Sequence, residues 1–498
     1  MLTDAFPKLK DKKAIQLIRA FIRSPWYLAI NVLLMACAEL FSLELPVFYI
    51  YFVFVLAVVL LDEDLLGAMV LVPCHYLAIS APNNPGKHPG TMFFDPSKMV
   101  HLIILISIYS VLFVARLISL QLFNRTKRMP ELTIGIVCFS LTLILGGVFS
   151  GYWGARTVTF GIVQIAAFFA VYLFFYFTVN WKHVPQNYCM MLFLILGVGI
   201  ILEIAGMYFM PGAISGSVVN RGAFYTGWGI YNNVGCVMAM CLPAPFYFAA
   251  KRKDGWIFSL IGLVFFLAVL LTQSRNAMLF GAVIFVACAV VVLVKAKGWA
   301  RWKNLIVYGA FTLVVLIAGL VFMDRMKDLF SVVVSSGFDD ALRFDTYRAC
   351  WARFLEAPWF GSGFYHTPGT VMQNNGMLTD LVNDGTHTVG FMPPRAHNTL
   401  FQLLASGGVF MLLGYLVHRV QTGIVFFRHP TTEKTFIFLC VSAILLTSLL
   451  DCHIFDFGPT LLYSMLLLFA EADNLQRDKR SMYTLKELKR KKRKHAQA

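Results

Sequence analysis

Long apolar blocks alternate with short polar connections along almost the whole of this chain. About fourteen blocks approach the ~20 residues that a helix needs to cross a bilayer. They fall at 26–43, 46–61, 65–80, 100–121, 132–149, 157–178, 188–209, 231–250, 256–272, 277–294, 304–323, 399–417, 434–450 and 458–472. The pattern predicts an all-α polytopic membrane protein, and the even count returns both termini to one side. Residues 8–24 (KLKDKKAIQLIRAFIRS) mix basic and apolar residues at helical spacing, which predicts an amphipathic helix lying on a membrane surface. The first apolar run, from Trp26, is long and lacks a small-residue cleavage site after it, so no cleavable signal peptide is expected.

The connections have a sidedness. With a cytoplasmic N-terminus, the inner loops read NRTKR (124–128), NWKH (180–183), KRKDG (251–255), KAKGWARWK (295–303) and RHPTTEK (428–434), and all are basic. Five loops and both tails therefore agree on one orientation under the positive-inside rule. Outer connections are short except residues 324–398, and a loop of that length in a compact protein usually has a function. The expected division is a cytoplasmic amphipathic segment (1–25), helices one to eleven (26–323), a large extracytoplasmic loop (324–398), helices twelve to fourteen (399–472) and a basic cytoplasmic tail (473–498). Within the loop, Asp324 to Val334 reads as amphipathic. A helix is expected from Asp339 to Leu355, ending before Pro358, with Arg343, Tyr347 and Trp351 on one face. Residues 361–394 are rich in Gly, Asn, Thr and Pro and predict an irregular lid.

Composition supports the membrane assignment. Of 498 residues, 58% are hydrophobic and 14% charged, against about a quarter charged in a soluble protein. The net charge of +16 follows from topology rather than from nucleic-acid binding: six Lys/Arg lie in the first 25 residues and ten between Arg477 and Lys494. Both clusters flank spans, where they anchor at anionic lipid. The ten cysteines are scattered without a CxxC and read as small apolar residues, with one disulfide, Cys350 to Cys452, left open on the outer side.

Candidate chemistry comes from cations that defy the sidedness. Arg221, Arg275, Arg343, Arg348 and Arg395 all fall on the expected outer side, and so does His397. Cations kept there against the bias need an anion, and a lipid pyrophosphate is the one at hand on that face. Arginine pairs with phosphate oxygens through a planar fork and stays charged when partly buried. Arg275 opens the tenth block, where a helix N-terminus adds anion affinity. His397 opens the twelfth, and imidazole there suits either a general base for an acceptor hydroxyl or a phosphate donor. Asn398 is a ligand or a helix cap. Trp228 is a candidate for stacking on a sugar, while the other outer tryptophans fit the interfacial belt better. Glu203 lies inside a span, where a carboxylate is costly, and Asp451 and Asp456 flank a short outer turn. The plainer alternatives are snorkelling for Arg221 and a solvated helix face for Arg343 and Arg348 beside Asp339, Asp340 and Asp345. No metal is expected, because no ligands stand at metal spacing on the outer side.

Four segments carry a family resemblance: NRGAFYTGWGIYNNVG (220–235), TQSRNAML (272–279), RFDTYRACWARFLEAPWFGSGFYHT (343–367) and PRAHNTLFQLLASGGVFMLLG (394–414). Their order, and the long loop between the last two, resemble the O-antigen ligase and O-antigen polymerase superfamily over about residues 210–415. The first segment departs from the family's Asp/Asn-Pro-Asn turn, reading Tyr231-Asn232-Asn233 instead. The resemblance implies a lipid-linked-sugar glycosyltransferase of the inner membrane, working at its outer face without cofactor or metal. A glycan would pass from undecaprenyl pyrophosphate to an acceptor hydroxyl on a glycan or lipid-linked acceptor. His397, Arg275 and Arg221 would be catalytic, with Arg343, Arg348, Arg395, Trp228 and Asn398 binding pyrophosphate or glycan. Membrane lipid, a flippase and a chain-length regulator are the implied partners. The high span count favours a polymerase over a ligase that joins glycan to lipid A-core. A rival from another class is a lipid-linked oligosaccharide flippase, but that needs no long outer loop and often shows related halves.

Overall fold

The computed structural model describes residues 12–80, 96–119, 129–151, 153–181, 184–185, 187–209, 214–215, 218–219, 225–321, 341–364 and 396–477. The helices are α1 Lys13–Ile22, α2 Pro25–Phe41, α3 Glu44–Leu61, α4 Ala68–Ser80, α5 Pro96–Ser119, α6 Thr133–Leu145, α7 Ala155–Ile165 and α8 Val171–Thr178. They continue with α9 Tyr188–Tyr208, α10 Tyr231–Cys241, α11 Pro243–Lys251, α12 Gly255–Leu271, α13 Arg275–Lys295 and α14 Trp299–Val321. The last are α15 Ala341–Glu356, α16 Thr399–Phe427, α17 Thr432–Thr447 and α18 Phe457–Arg477. A π-helical turn, Ala166–Ala170, joins α7 to α8. Two antiparallel hairpins of two-residue strands precede α10: β1 Ile214–Ser215 with β2 Val218–Val219, and β3 Tyr225–Thr226 with β4 Gly229–Ile230.

Among the described residues, eight helices are long and apolar enough to cross a membrane, or nine if the bent pair Lys13–Ile22 and Pro25–Phe41 is one span. The other apolar blocks are helical too, but α4, α6 and α12 are shorter. The joined span Tyr231–Lys251 is 94% buried and forms the centre of the bundle. It packs against α13 and α17, while α16 runs along α6.

Local sequence sets the breaks. Ser24 accepts from Tyr27 N as the N-cap of α2, with Pro25 in the first turn, so α1 cannot continue straight into α2. The two axes meet at 61°. This places α1 across the end of the bundle, where Arg19 pairs with Glu63 (3.2 Å) and Arg23 with Asp62 and Asp64 (3.3 Å each). At that same end Arg428 pairs with Glu131, and Lys251 Nζ donates to Asn187 Oδ1 at 3.2 Å. The described parts of the connections at 61–65, 180–187, 251–255 and 428–434 thus share one end. The starts of α10, α13 and α16 share the other.

One break was not legible. Inside α16, Gly408 has φ +62°, ψ −158°, and the helix is kinked there. The segment from Pro358 to Gly363 fills the gap. Val409 N and Phe410 N donate to Pro358 O (2.8 Å) and Trp359 O (3.0 Å), while Ser362 N and Gly363 N donate to Ala405 O (2.9 Å) and Ser406 O (2.8 Å). The backbone groups freed by the kink are therefore satisfied by a strap, as burial in an apolar medium demands. A Cβ on Gly408 would lie 2.4 Å from Pro358 O. Gly408→Ala therefore combines a left-handed alanine with a backbone collision, and is expected to cost about 2–4 kcal/mol. Thermal unfolding in detergent reads this as a lowered midpoint. An unchanged midpoint would show that the strap does not hold the kink.

Candidate functional site

The C-terminal end of α17 leaves carbonyls that its own helix cannot satisfy. Three neighbours meet them in succession. Asn276 Nδ2 donates to Thr447 O (2.6 Å), Thr399 N and Oγ1 donate to Ser448 O (3.1 and 2.9 Å), and Asn398 Nδ2 donates to Leu449 O (2.8 Å). The first turns of α13 and α16 are thus pinned side by side on one helix end. Arg275 directly precedes Asn276, and His397 directly precedes Asn398, so the two residues border the same Thr447–Leu449 turn. Ser274 caps α13 by accepting from Ala277 N, which leaves Arg275 exposed on the first helical turn.

His397 sits in a constrained backbone. Its φ is +50°, left-handed and uncommon for a residue with a Cβ. Three flanking contacts hold it: Ala396 N donates to Gln402 Oε1 (3.0 Å), Tyr347 OH donates to His397 O (3.1 Å), and the Asn398 side chain accepts from Leu400 N and Phe401 N. Tyr347 also stacks on Phe401, with ring centres 4.8 Å apart, and this docks α15 on α16. Strain maintained by its surroundings is a feature of functional positions.

The imidazole faces acid. His397 Nδ1 lies 3.3 Å from Asp451 Oδ1, close enough for an ion pair but off the line of a hydrogen bond. Asp451 Oδ2 accepts from Asn232 Nδ2 at 3.3 Å and lies 3.7 Å from His453 Nε2. His453 Nδ1 is in turn 3.1 Å from Asp456 Oδ2. Asp451, His453 and Asp456 are all buried, while the His397 side chain keeps 16% of its surface. A carboxylate beside Nδ1 favours a proton on that nitrogen and leaves Nε2 as the reactive one. The arrangement can hold an imidazole in one orientation, let it take a proton from an acceptor hydroxyl, and stabilise the resulting cation. Arg275 supplies positive charge at the N-terminus of α13, whose first turn is pinned to the same helix end.

Several expected residues take other roles. Asn398 is the N-cap of α16, and both ends of its amide are occupied by backbone partners, so the structure gives it a capping role rather than a ligand's. Trp228 is buried at 1% exposure against Tyr76, so its ring is packed inside the protein rather than presented to a sugar. Gly458 also lies against that ring. Cys350 and Cys452 are free thiols, which corrects the disulfide left open. Arg348 is exposed on α15. Arg221 and Arg395 lie outside the described residues, as does the side chain of Arg343 and most of the 324–398 loop. The His397–Asp451–His453–Asp456 chain with Asn232 was only partly legible: Asp451 and Asp456 stood out as acids at an outer turn, but no sequence signal joined them to His397.

Residues 258–416 match a family model described as O-antigen ligase. The matched segment runs from α12 through α16, past Arg275, the strap and His397, and it supports the O-antigen ligase/polymerase superfamily. No curated protein matches the chain.

Proposed function

From the O-antigen ligase domain that residues 258–416 carry, we propose that this chain is a membrane glycosyltransferase that moves a glycan from undecaprenyl pyrophosphate to an acceptor hydroxyl. In this reading all fourteen apolar helices span the inner membrane, both termini are cytoplasmic, and the 324–398 loop is extracytoplasmic. His397 and Arg275 then face the outer leaflet. His397 removes the proton from the acceptor hydroxyl. The hydroxyl oxygen attacks the anomeric carbon, the bond from that carbon to the pyrophosphate oxygen breaks, and undecaprenyl pyrophosphate leaves with the electron pair. Arg275 stabilises the charge that develops on the leaving group, an electrostatic contribution often the largest in catalysis. Arg221 is assigned the same duty from the other outer motif, with Arg343, Arg348 and Arg395 binding pyrophosphate or glycan. No metal takes part.

The observation that carries the proposal is the shared helix end: Asn276 and Asn398, next to Arg275 and His397, bond the Thr447 and Leu449 carbonyls of one turn. Within the class, the many spans favour a polymerase, which extends a chain on lipid-linked repeat units. The description of the matched family favours the ligase reading, in which a finished glycan is joined to lipid A-core. Purified protein with lipid-linked glycan separates the two on a gel. A ladder means polymerase, and a single shifted acceptor means ligase. Translocation across liposomes without transfer would overturn the enzyme reading in favour of a flippase.

A further inference from the structure

Two carboxyl groups are buried together beneath the hairpin that leads into α10. Glu39, in the last turn of α2, is 8% exposed, and Glu203, in α9, is 0% exposed. Their side chains face each other. No hydrogen-bond partner among the described residues reaches either oxygen of Glu203 or Oε2 of Glu39. Two ionised carboxylates cannot satisfy one another, since both only accept. Among the described residues, the groups facing the pair do not supply a counter-charge. They are Tyr51, Cys74, Cys241 and the Trp228 indole, with Glu44 the other nearby charge, itself 3.9 Å from Lys98. Burying two adjacent like charges costs several kcal/mol. One shared proton removes one charge and turns the contact into a short, charge-assisted O–H···O bond.

The pair also holds the apex of the hairpin. Glu39 Oε1 accepts from Gly227 N at 3.0 Å, at the turn between β3 and β4, and Glu203 faces the indole of Trp228. A Cβ on Gly227 would lie 2.3 Å from Glu39 Oε1, so the carboxylate reaches the backbone only because this residue is glycine. The chain runs from there directly into α10, where Asn232 holds the Asp451 carboxylate that faces His397.

We propose that Glu39 and Glu203 form a proton-sharing clamp of positioning residues: they fix the Thr226–Gly229 turn, and through Asn232 and Asp451 they set the orientation of His397. The inference rests on the proposed transfer reaction, so its test has one readout that does not. Full-length Glu39→Gln, Glu203→Gln and Glu39→Ala proteins are compared with the parent chain, for transfer from undecaprenyl-pyrophosphate glycan and for hydrogen–deuterium exchange of peptides covering 225–230. Glutamine keeps an acceptor for Gly227 N and supplies N–H in place of the shared proton. Each glutamine variant should keep kcat within about twofold and the hairpin protected, whereas Glu39→Ala should lose about tenfold in kcat, with KM little changed and faster exchange at 225–230. Glutamine variants as impaired as Glu39→Ala would overturn the shared proton, because they would mean two ionised carboxylates held by a cation. Parent-like activity and exchange in Glu39→Ala would overturn the clamp. If Glu39→Ala does not fold, the two glutamine variants alone decide. A parent protein that catalyses no transfer would sink the function, while the exchange data would still judge the clamp.

Discussion

His397→Ala is expected to abolish most glycan transfer, by about 10²–10⁴-fold, which is the span attributed to a positioned proton-transfer group. The protein should still insert and fold, because the contacts that shape this corner belong to its neighbours. Asn398 caps α16, Gln402 holds Ala396 N, and Tyr347 reaches the His397 carbonyl rather than the ring. The substitution also leaves Asp451 bonded to Asn232. Glutamine at 397 tells the two possible roles apart. It can donate a hydrogen bond to a phosphate but cannot take a proton from a hydroxyl, so His397→Gln should be nearly as inactive as His397→Ala if the imidazole is a base. Initial rates on lipid-linked glycan, with a thermal midpoint for each variant, are the check. Substantial activity in His397→Gln would move His397 to phosphate binding, and full activity in His397→Ala would remove it from the mechanism.

Arg275→Lys should lose most activity although the charge is kept. The guanidinium offers two parallel N–H donors to a pyrophosphate, and an ammonium offers a point charge on a differently shaped stem. Losing one oriented donor to a developing anion costs about 10²–10³-fold in kcat in comparable sites. Little of this should come from stability. Arg275 is exposed, and the cap and the tether of α13 are provided by Ser274 and Asn276. Steady-state kinetics should therefore show a fall in kcat at an unchanged melting midpoint. A rise in KM alone would mean that Arg275 binds ground state and transition state equally.

The parts of this protein written into hydropathy were legible. The described apolar blocks are helical, and the described parts of the basic connections at 180–187, 251–255 and 428–434 gather at one end, because exclusion of polar groups from lipid acts on every residue of a span. Arg275 and His397 were conspicuous for a related reason: each is a basic residue opening an apolar run on the side expected to be outer. Their partners were not. Asp451 reaches His397 from the turn after α17, and Asn232 holds Asp451 from α10, and contacts so remote in sequence leave no periodic trace. The kink at Gly408 was equally hidden, since glycine is common in spans and its strap lies in a different segment. Trp228 shows the opposite case: residue type suggested sugar stacking, but the indole is turned inward. For Asn398 the sequence left ligand or helix cap open, and direction decides for the cap, with the amide turned onto backbone.

The central claim is metal-independent transfer from a lipid pyrophosphate. Its most direct measurement follows purified protein, undecaprenyl-pyrophosphate glycan and acceptor in EDTA, recording extended glycan and released undecaprenyl pyrophosphate together. The account predicts that both appear in equal amounts and at the rate seen without chelator. Loss of all transfer in EDTA with recovery on adding Mg²⁺, or the absence of released lipid pyrophosphate under either condition, would contradict it.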